Sequence, residues 1–266
     1  MKFLLSLLFF SVTFANEFEY VQKHKIGIFH PYKYQLSEEI EISTHPITFL
    51  INPNVSARIE HNKKFIDFVF SVSKADNAMK NKNNSFYTNH SIYFPTGLFN
   101  MLKKEGMFGF ISPEFSDFPF MMSLKNEVEI FVDKDPYNIS IKTGFTFGFS
   151  SEKLDTRSTI DLPIIYPRML VYYPGSNYNF NYNLGIKRKL SKKWDVFTNI
   201  NGIVYPKSGD GFFIENKSLL IWNYSEKTEI QFGYKLVYGQ YPFGDMLHLL
   251  PFSIMPVPLI DIVWSW

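Results

Sequence analysis

The chain has 266 residues, no cysteine and a formal charge of +2. That excludes a disulfide framework and lipoprotein processing, and leaves no basic excess for nucleic acid. The hydrophobic share of 45 % is ordinary, yet 29 Phe and 16 Tyr help raise the aromatic share to 18 %; such a balance suits a wall with one apolar and one polar face.

At the N-terminus, Met1-Lys2 precedes an apolar run over 3–10, then Ser11-Val12-Thr13-Phe14-Ala15 and Asn16-Glu17. A basic start, a short apolar core and small residues fit a secretory signal peptide cut after Ala15. The run falls well short of the roughly 20 residues a spanning helix needs. Residues 16–266 then read as one domain. No later segment is at once long, apolar and free of charge, Pro and Gly. Export therefore leaves a soluble secreted β-protein or a β-barrel.

Along the chain, period-two alternation recurs, and this period puts alternate side chains on opposite faces of a strand. It is weak over 54–60, 65–73 and 125–133, and a further strand is expected over 85–94. It strengthens where Ile139, Ile141, Phe145, Phe147 and Phe149 alternate with Ser140, Lys142, Gly144, Thr146 and Gly148. The clearest case sets Tyr178, Phe180, Tyr182, Leu184 and Ile186 against Asn177, Asn179, Asn181, Asn183, Gly185 and Lys187. Weaker versions cover 194–204 and 212–222. Ile230, Phe232, Tyr234, Leu236 and Tyr238 then alternate with Gln231, Gly233, Lys235 and Gly239. These strands are longer than the usual five or six residues and match the roughly 9–11 that cross a bilayer at a tilt.

The last strand ends Ile260-x-Ile262-x-Trp264-x-Trp266. This terminus resembles the C-terminal signal of bacterial outer-membrane proteins, whose closing strand ends on an aromatic at the lipid interface; the resemblance covers only these residues. It implies a transmembrane, antiparallel up-and-down β-barrel in the outer membrane, with the C-terminus in the periplasm. It also implies outer-membrane lipid, lipopolysaccharide and the barrel-assembly machinery as partners.

Counting connections backwards from that end, long and short ones should alternate. Segments 223–226, 190–193 and 133–137 are short, 206–210 is moderate, and 241–257, 151–176 and 95–124 are long. Before residue 85 the pattern degrades, because 74–84 is long for a periplasmic turn and 61–64 short for an external loop. The expected strand number is about 12, with 10 as the alternative. On this count Trp194, Trp222, Trp264 and Trp266 all fall at periplasmic strand ends, where indoles anchor at the headgroup level. Tyr178, Tyr205, Tyr238 and Tyr241 fall at the opposite ends.

The same alternation assigns Arg58, Glu60, Asp67, Lys125, Glu127, Glu129, Asp133, Lys142, Lys187, Lys235 and Asp261 to the lumen. These acids and bases either pair across the lumen and plug it or line an aqueous passage. No run of one sign marks an anion- or cation-selective pore. The loops are the more unusual feature: 94–124, 162–174 and 241–258 are rich in Met, Phe and Pro. Segment 96–104 reads as a short helix with Thr96 as N-cap and Gly106 just beyond its end. Such loops must bury their apolar groups, either as a packed cap over the barrel or as an apolar site for a hydrophobic solute.

No catalytic residue, metal site or cofactor is assigned. His90 and Ser91 are adjacent on a strand and point to opposite faces, so they are not partners. His248 with Asp245 has the composition of an oriented imidazole, and no Gly-x-Ser-x-Gly occurs. Ser91, His248 and Asp245 are the weak catalytic candidates. The functional expectation is passive passage or binding of a small solute of unknown identity, an apolar one included. The alternatives are a lipid-modifying hydrolase or acyltransferase, and a structural or adhesive barrel.

Overall fold

A strand's backbone needs a partner on each edge, and every strand among the described residues finds both. The structure, a computed structural model, describes residues 23–50, 52–61, 84–102, 118–154, 166–173, 175–206, 211–240 and 254–266. Its strands are β1 (His24–Gly27), β2 (Tyr32–Gln35), β3 (Ile40–Thr44), β4 (Asn54–His61), β5 (Asn84–Tyr93) and β6 (Met121–Lys134). They continue with β7 (Tyr137–Ser150), β8 (Tyr178–Lys189), β9 (Trp194–Tyr205), β10 (Gly211–Ser225), β11 (Thr228–Gln240) and β12 (Ile254–Ser265). Each pairs antiparallel with its sequence neighbours, and β1 pairs with β12, which closes the barrel. The fold is thus a closed, twelve-stranded, antiparallel up-and-down β-barrel.

Twelve is the larger of the two expected numbers, but the strands are distributed differently before residue 85. The first three, β1 to β3, have only four or five residues each, too few for alternation to stand out. The strand expected over 65–73 lies outside the described residues. Among the described residues, β4 pairs directly with β5 from Asn54↔Tyr93 to His61↔Phe86. The wall is therefore uneven, with strands of 12 to 15 residues from β6 to β12 against the short β1 to β3. At the seam, His24 and Trp266 exchange backbone hydrogen bonds of 2.9 and 3.0 Å, and their rings stack at 5.4 Å.

The two faces of the wall are the reverse of those of a soluble protein. On the outside, Phe147, Phe149 and Tyr182 are each about half exposed, at 51, 53 and 52 %. Register pairs Phe145↔Phe180, Ile141↔Leu184 and Leu184↔Ile200 join such residues into one apolar surface across β7, β8 and β9. Inside, polar and charged residues are buried, among them Lys25, Glu129, Lys142, Glu215 and Lys235.

Two apolar clusters also occupy the interior. One lies at the end with the long connections, where α1 (Thr96–Leu102), α2 (Tyr166–Met169) and the 3-10 turn Leu170–Tyr172 fold into the barrel mouth. There Leu98, Phe99, Phe118, Met121 and residues 169–173 pack against Ile203, Tyr205 and Phe213 of the wall. The other runs along the wall of β9 to β12, where Phe197, Leu219, Ile221, Val237, Val257 and Leu259 pack together, from Val237 opposite Glu215 down to Ile221 nearer the short turns, with Phe29 and Phe131 against them. Burying each such side chain contributes about 1.5–3 kcal/mol.

Curvature at two points requires the absence of a side chain. A Cβ on Gly144 would strike the backbone of Asn126 and Glu127, and one on Gly233 the backbone of Ser218 and Leu219. Gly233→Val is expected to destabilise the barrel by about 1–3 kcal/mol. The readout is the fraction that migrates as the compact, heat-modifiable form in semi-native electrophoresis. An unchanged unfolding midpoint would contradict this close approach.

Candidate functional site: a polar chamber in the lumen

Beneath the first apolar cluster lies a cavity of about 360 Å³, walled by inward side chains of β2 to β11. Its character follows from strand parity. On β8, Asn179, Asn181 and Asn183 occupy successive inward positions, and on β9 Asn199 and Asn201 do the same. Their amides are tied to one another. Asn183 and Asn199 each donate to the other's Oδ1, at 3.2 and 2.8 Å. Asn181 donates to Asn179 Oδ1 and to Thr146 Oγ1, both at 2.9 Å, and Asn179 donates to the Tyr205 hydroxyl at 2.9 Å. A polar ladder held in this way presents fixed hydrogen-bonding groups.

Two buried carboxylates organise the charges. Glu129 on β6 is fully buried and accepts from Arg58 Nε at 3.0 Å, Ser140 Oγ at 2.8 Å and Asn89 Nδ2 at 3.3 Å, with Lys142 Nζ at 3.4 Å. Arg58 also lies over the Tyr87 ring, 3.6 Å from its centre. Glu215 on β10 accepts both arms of the Arg168 fork at 2.8 Å, Asn201 Nδ2 at 3.2 Å and Lys235 Nζ at 3.1 Å. An ionised carboxylate has about four acceptor positions, so both are saturated. Simpler pairs join Lys33 to Glu41 at 3.2 Å and Lys125 to Glu127 at 2.7 Å.

Arg168 comes from α2, so the Glu215 pair ties the lumenal cap to the wall. Burial works against its charge, but the adjacent Glu215 carboxylate outweighs it and raises the guanidinium pKa above the ordinary value. Burial pushes the Tyr172 phenol well above its usual range, leaving it a neutral donor to Ser123 Oγ at 2.8 Å. Thr96 serves the cap in another way than expected. Its hydroxyl donates to the Pro119 carbonyl at 3.0 Å and accepts the Met121 N–H at 2.8 Å, stitching α1 to the start of β6. The apolar chamber roof is formed by Leu98, Phe99, Tyr172 and Ile203.

Of the residues assigned to the lumen from the sequence, Arg58, Lys125, Glu127, Lys142 and Lys235 border the chamber, and Glu129 lies behind them. Glu60 follows Arg58 at the next position of the same parity on β4. Lys187 pairs with Asp195 at 3.3 Å, closer to the short turns. Asp261 sits at the seam, accepting the N–H groups of Phe29 at 3.1 Å and Ile262 at 2.8 Å. Asp133 is exposed beside the β6–β7 turn. Asp67 is outside the described residues, as are Asp245 and His248. Ser91 borders the chamber, whereas His90 is exposed and hydrogen-bonds Asn126 at 2.8 Å, so the two do not meet.

The four tryptophans lie at the end with the short turns. Trp194 and Trp222 are register partners whose rings stack at 5.8 Å, Trp264 is exposed, and Trp266 stacks on His24. Sequence reasoning missed Glu215, Lys217 and Arg168. On β10 the parity that carries Glu215 and Lys217 also carries Leu219 and Ile221, because the lower lumen is apolar, and this blurs the alternation. Arg168 lies in a loop, to which strand parity does not apply.

No known family and no curated protein matches the chain. Among solved structures it is similar to the outer-membrane expressed OmpT of Vibrio cholerae, with a TM-score of 0.47 and 6 % identity, over 89 % of this chain and 64 % of that one. The chain thus spans less than two thirds of that protein's length. It is also similar to the CymD monoaromatic hydrocarbon channel, with a TM-score of 0.32 and 8 % identity, over 89 % of this chain and 72 % of that one. At these scores neither likeness carries weight beside the strand ladder itself.

The saturated carboxylates generate a prediction. Glu129→Ala leaves Arg58 and Lys142 together without their counter-ion inside the barrel, and breaking such a buried cluster costs about 3–5 kcal/mol. The urea midpoint of the purified barrel should fall accordingly. A shift of less than about 1 kcal/mol, the scale of an exposed pair, would contradict the structural role given to Glu129.

Proposed function

We propose that this chain is an outer-membrane β-barrel that holds a small hydrophilic solute in its lumenal chamber and lets it pass passively. The observation that carries the reading is the chamber itself, a polar space inside a closed barrel beneath an apolar roof. The Met- and Phe-rich residues that would suit an apolar solute are spent largely on the roof, where they pack against one another. The walls that remain for the solute are amides, hydroxyls and ion pairs. Of the two roles open to those loops, the packed cap accounts for their described residues.

Outer-membrane residence is supported by the apolar exterior of β7 to β9 and by closure of the ladder. In a bilayer every backbone polar group must be satisfied within the protein, and a closed barrel does this without edges. The tryptophans at the short-turn end suit one headgroup boundary. A secretory signal over 1–15 belongs to the same proposal.

The apolar roof implies restricted flow. Reconstituted barrels should give low, intermittent conductance in planar bilayers and swelling of proteoliposomes in small polar solutes. A correctly folded barrel with neither would overturn passage. Membrane insertion has its own test, since Trp266→Asp removes the ring stacked on His24 and places a carboxylate at the boundary. This variant is expected to accumulate as periplasmic aggregate. Normal insertion and heat-modifiable migration would count against the membrane reading.

A further inference from the structure

Among the described residues, seven cationic side chains border the chamber: Lys33, Arg58, Lys125, Lys142, Arg168, Lys217 and Lys235. Against them stand four carboxylates, Glu41, Glu127 and Glu215 on the walls and the buried Glu129. The formal excess is three positive charges. Elsewhere in the lumen the Lys25–Glu229 and Lys187–Asp195 pairs are neutral, and Glu60 and Asp261 add two acids, which leaves an excess of one positive charge among the described residues. The charges that sequence parity assigned to the lumen are mixed and nearly balanced. The imbalance appears only once Lys33, Arg168 and Lys217 are placed around one cavity.

Hydrogen-bonding capacity is skewed in the same direction. Glu129 and Glu215 each bind two cations and two further or forked donors, so neither has an acceptor position left for a solute. Ammonium and guanidinium groups carry only donors. Amides on β8 and β9 carry acceptors as well as donors and are tied largely to one another, so the skew comes from the cations. A solute that brings acceptors and negative charge matches this surface, whereas a cation would meet like charge in a space of low dielectric. The roof of Leu98, Phe99, Tyr172 and Ile203 offers apolar contact to a carbon skeleton, which favours an organic anion over a bare inorganic one.

From this charge count, donor surplus and roof, we infer that the chamber selects small organic anions, carboxylates with a short carbon skeleton. The inference rests on the solute-chamber reading and adds the chemical class of the solute. A volume of about 360 Å³ is at the small end of ligand pockets, so one such molecule fills it.

Three probes of similar size and different charge separate the possibilities: succinate, its uncharged diamide succinamide, and the dication putrescine. The purified barrel in detergent is expected to gain roughly 3 °C or more in unfolding midpoint at saturating succinate, and no comparable gain with the other two. In proteoliposomes, succinate flux should exceed succinamide flux by on the order of five-fold at low salt, and the advantage should shrink as salt rises. The double variant Lys142→Gln/Lys217→Gln should lose most of that advantage, read as the ratio of succinate to succinamide flux in the same proteoliposomes. If the three probes stabilise the barrel equally and cross at equal rates, or if putrescine leads, anion selection is overturned while passage stands. If succinate alone stabilises the barrel and nothing crosses, anion binding stands and passage falls.

Discussion

Closure of the backbone ladder between His24 and Trp266 is the constraint on which the rest of this structure depends. A sheet of twelve strands left open would expose two edges of unpaired N–H and C=O groups, which is costly in water and untenable in lipid. Closure is made here by β1, a strand of four residues, against the end of a strand of twelve. The contact is short, and a stacked pair of rings reinforces it. Because β1 and β2 are so short, the turn between them delivers Phe29 and His30 to the interior, where His30 is fully buried. The low side of the barrel thereby supplies part of the packing beneath the chamber.

Once the ladder is closed, parity decides what each side chain meets. One face of the tall strands carries Phe, Tyr, Leu and Ile outward, and the other carries Asn, Lys, Glu and Ser inward. Burying charge is expensive unless it is paired and hydrogen-bonded, and both Glu129 and Glu215 are fully engaged. They act as hubs that hold cations from separate strands, and in the case of Arg168 from the cap. The same hubs set the chemistry of the chamber, since they use up its strongest acceptors and leave its donors in surplus. Stability and selectivity are therefore written in one set of residues.

The barrel was legible in the sequence wherever strands are long and their two faces differ. Tyr178-x-Phe180-x-Tyr182 against the asparagines of β8 gives both the strand and its orientation. The barrel was illegible at β1 to β3, where four or five residues do not establish a period. The site was legible only as a list of charges. Glu129 and Lys142 can be assigned to one face by parity, but parity does not say that they share a pair, nor that Arg168 descends from a loop to meet Glu215. Glu129 and Lys142 face each other across the β6–β7 hairpin, but Arg58 lies 71 residues from Glu129 and Arg168 lies 47 from Glu215, so those partners are joined by the fold rather than by spacing.

The central claim is that one wall separates an apolar environment outside from a polar chamber inside. The chain has no cysteine, so single spin labels can be attached at Leu184→Cys on the outer face of β8 and at Asn199→Cys on the inner face of β9. In proteoliposomes, the label at residue 184 should collide strongly with oxygen, which concentrates in the bilayer, and weakly with a water-soluble nickel chelate. The label at residue 199 should show low collision with oxygen. A label at residue 184 that meets the aqueous chelate freely, or equal oxygen collision at both sites, would contradict the account.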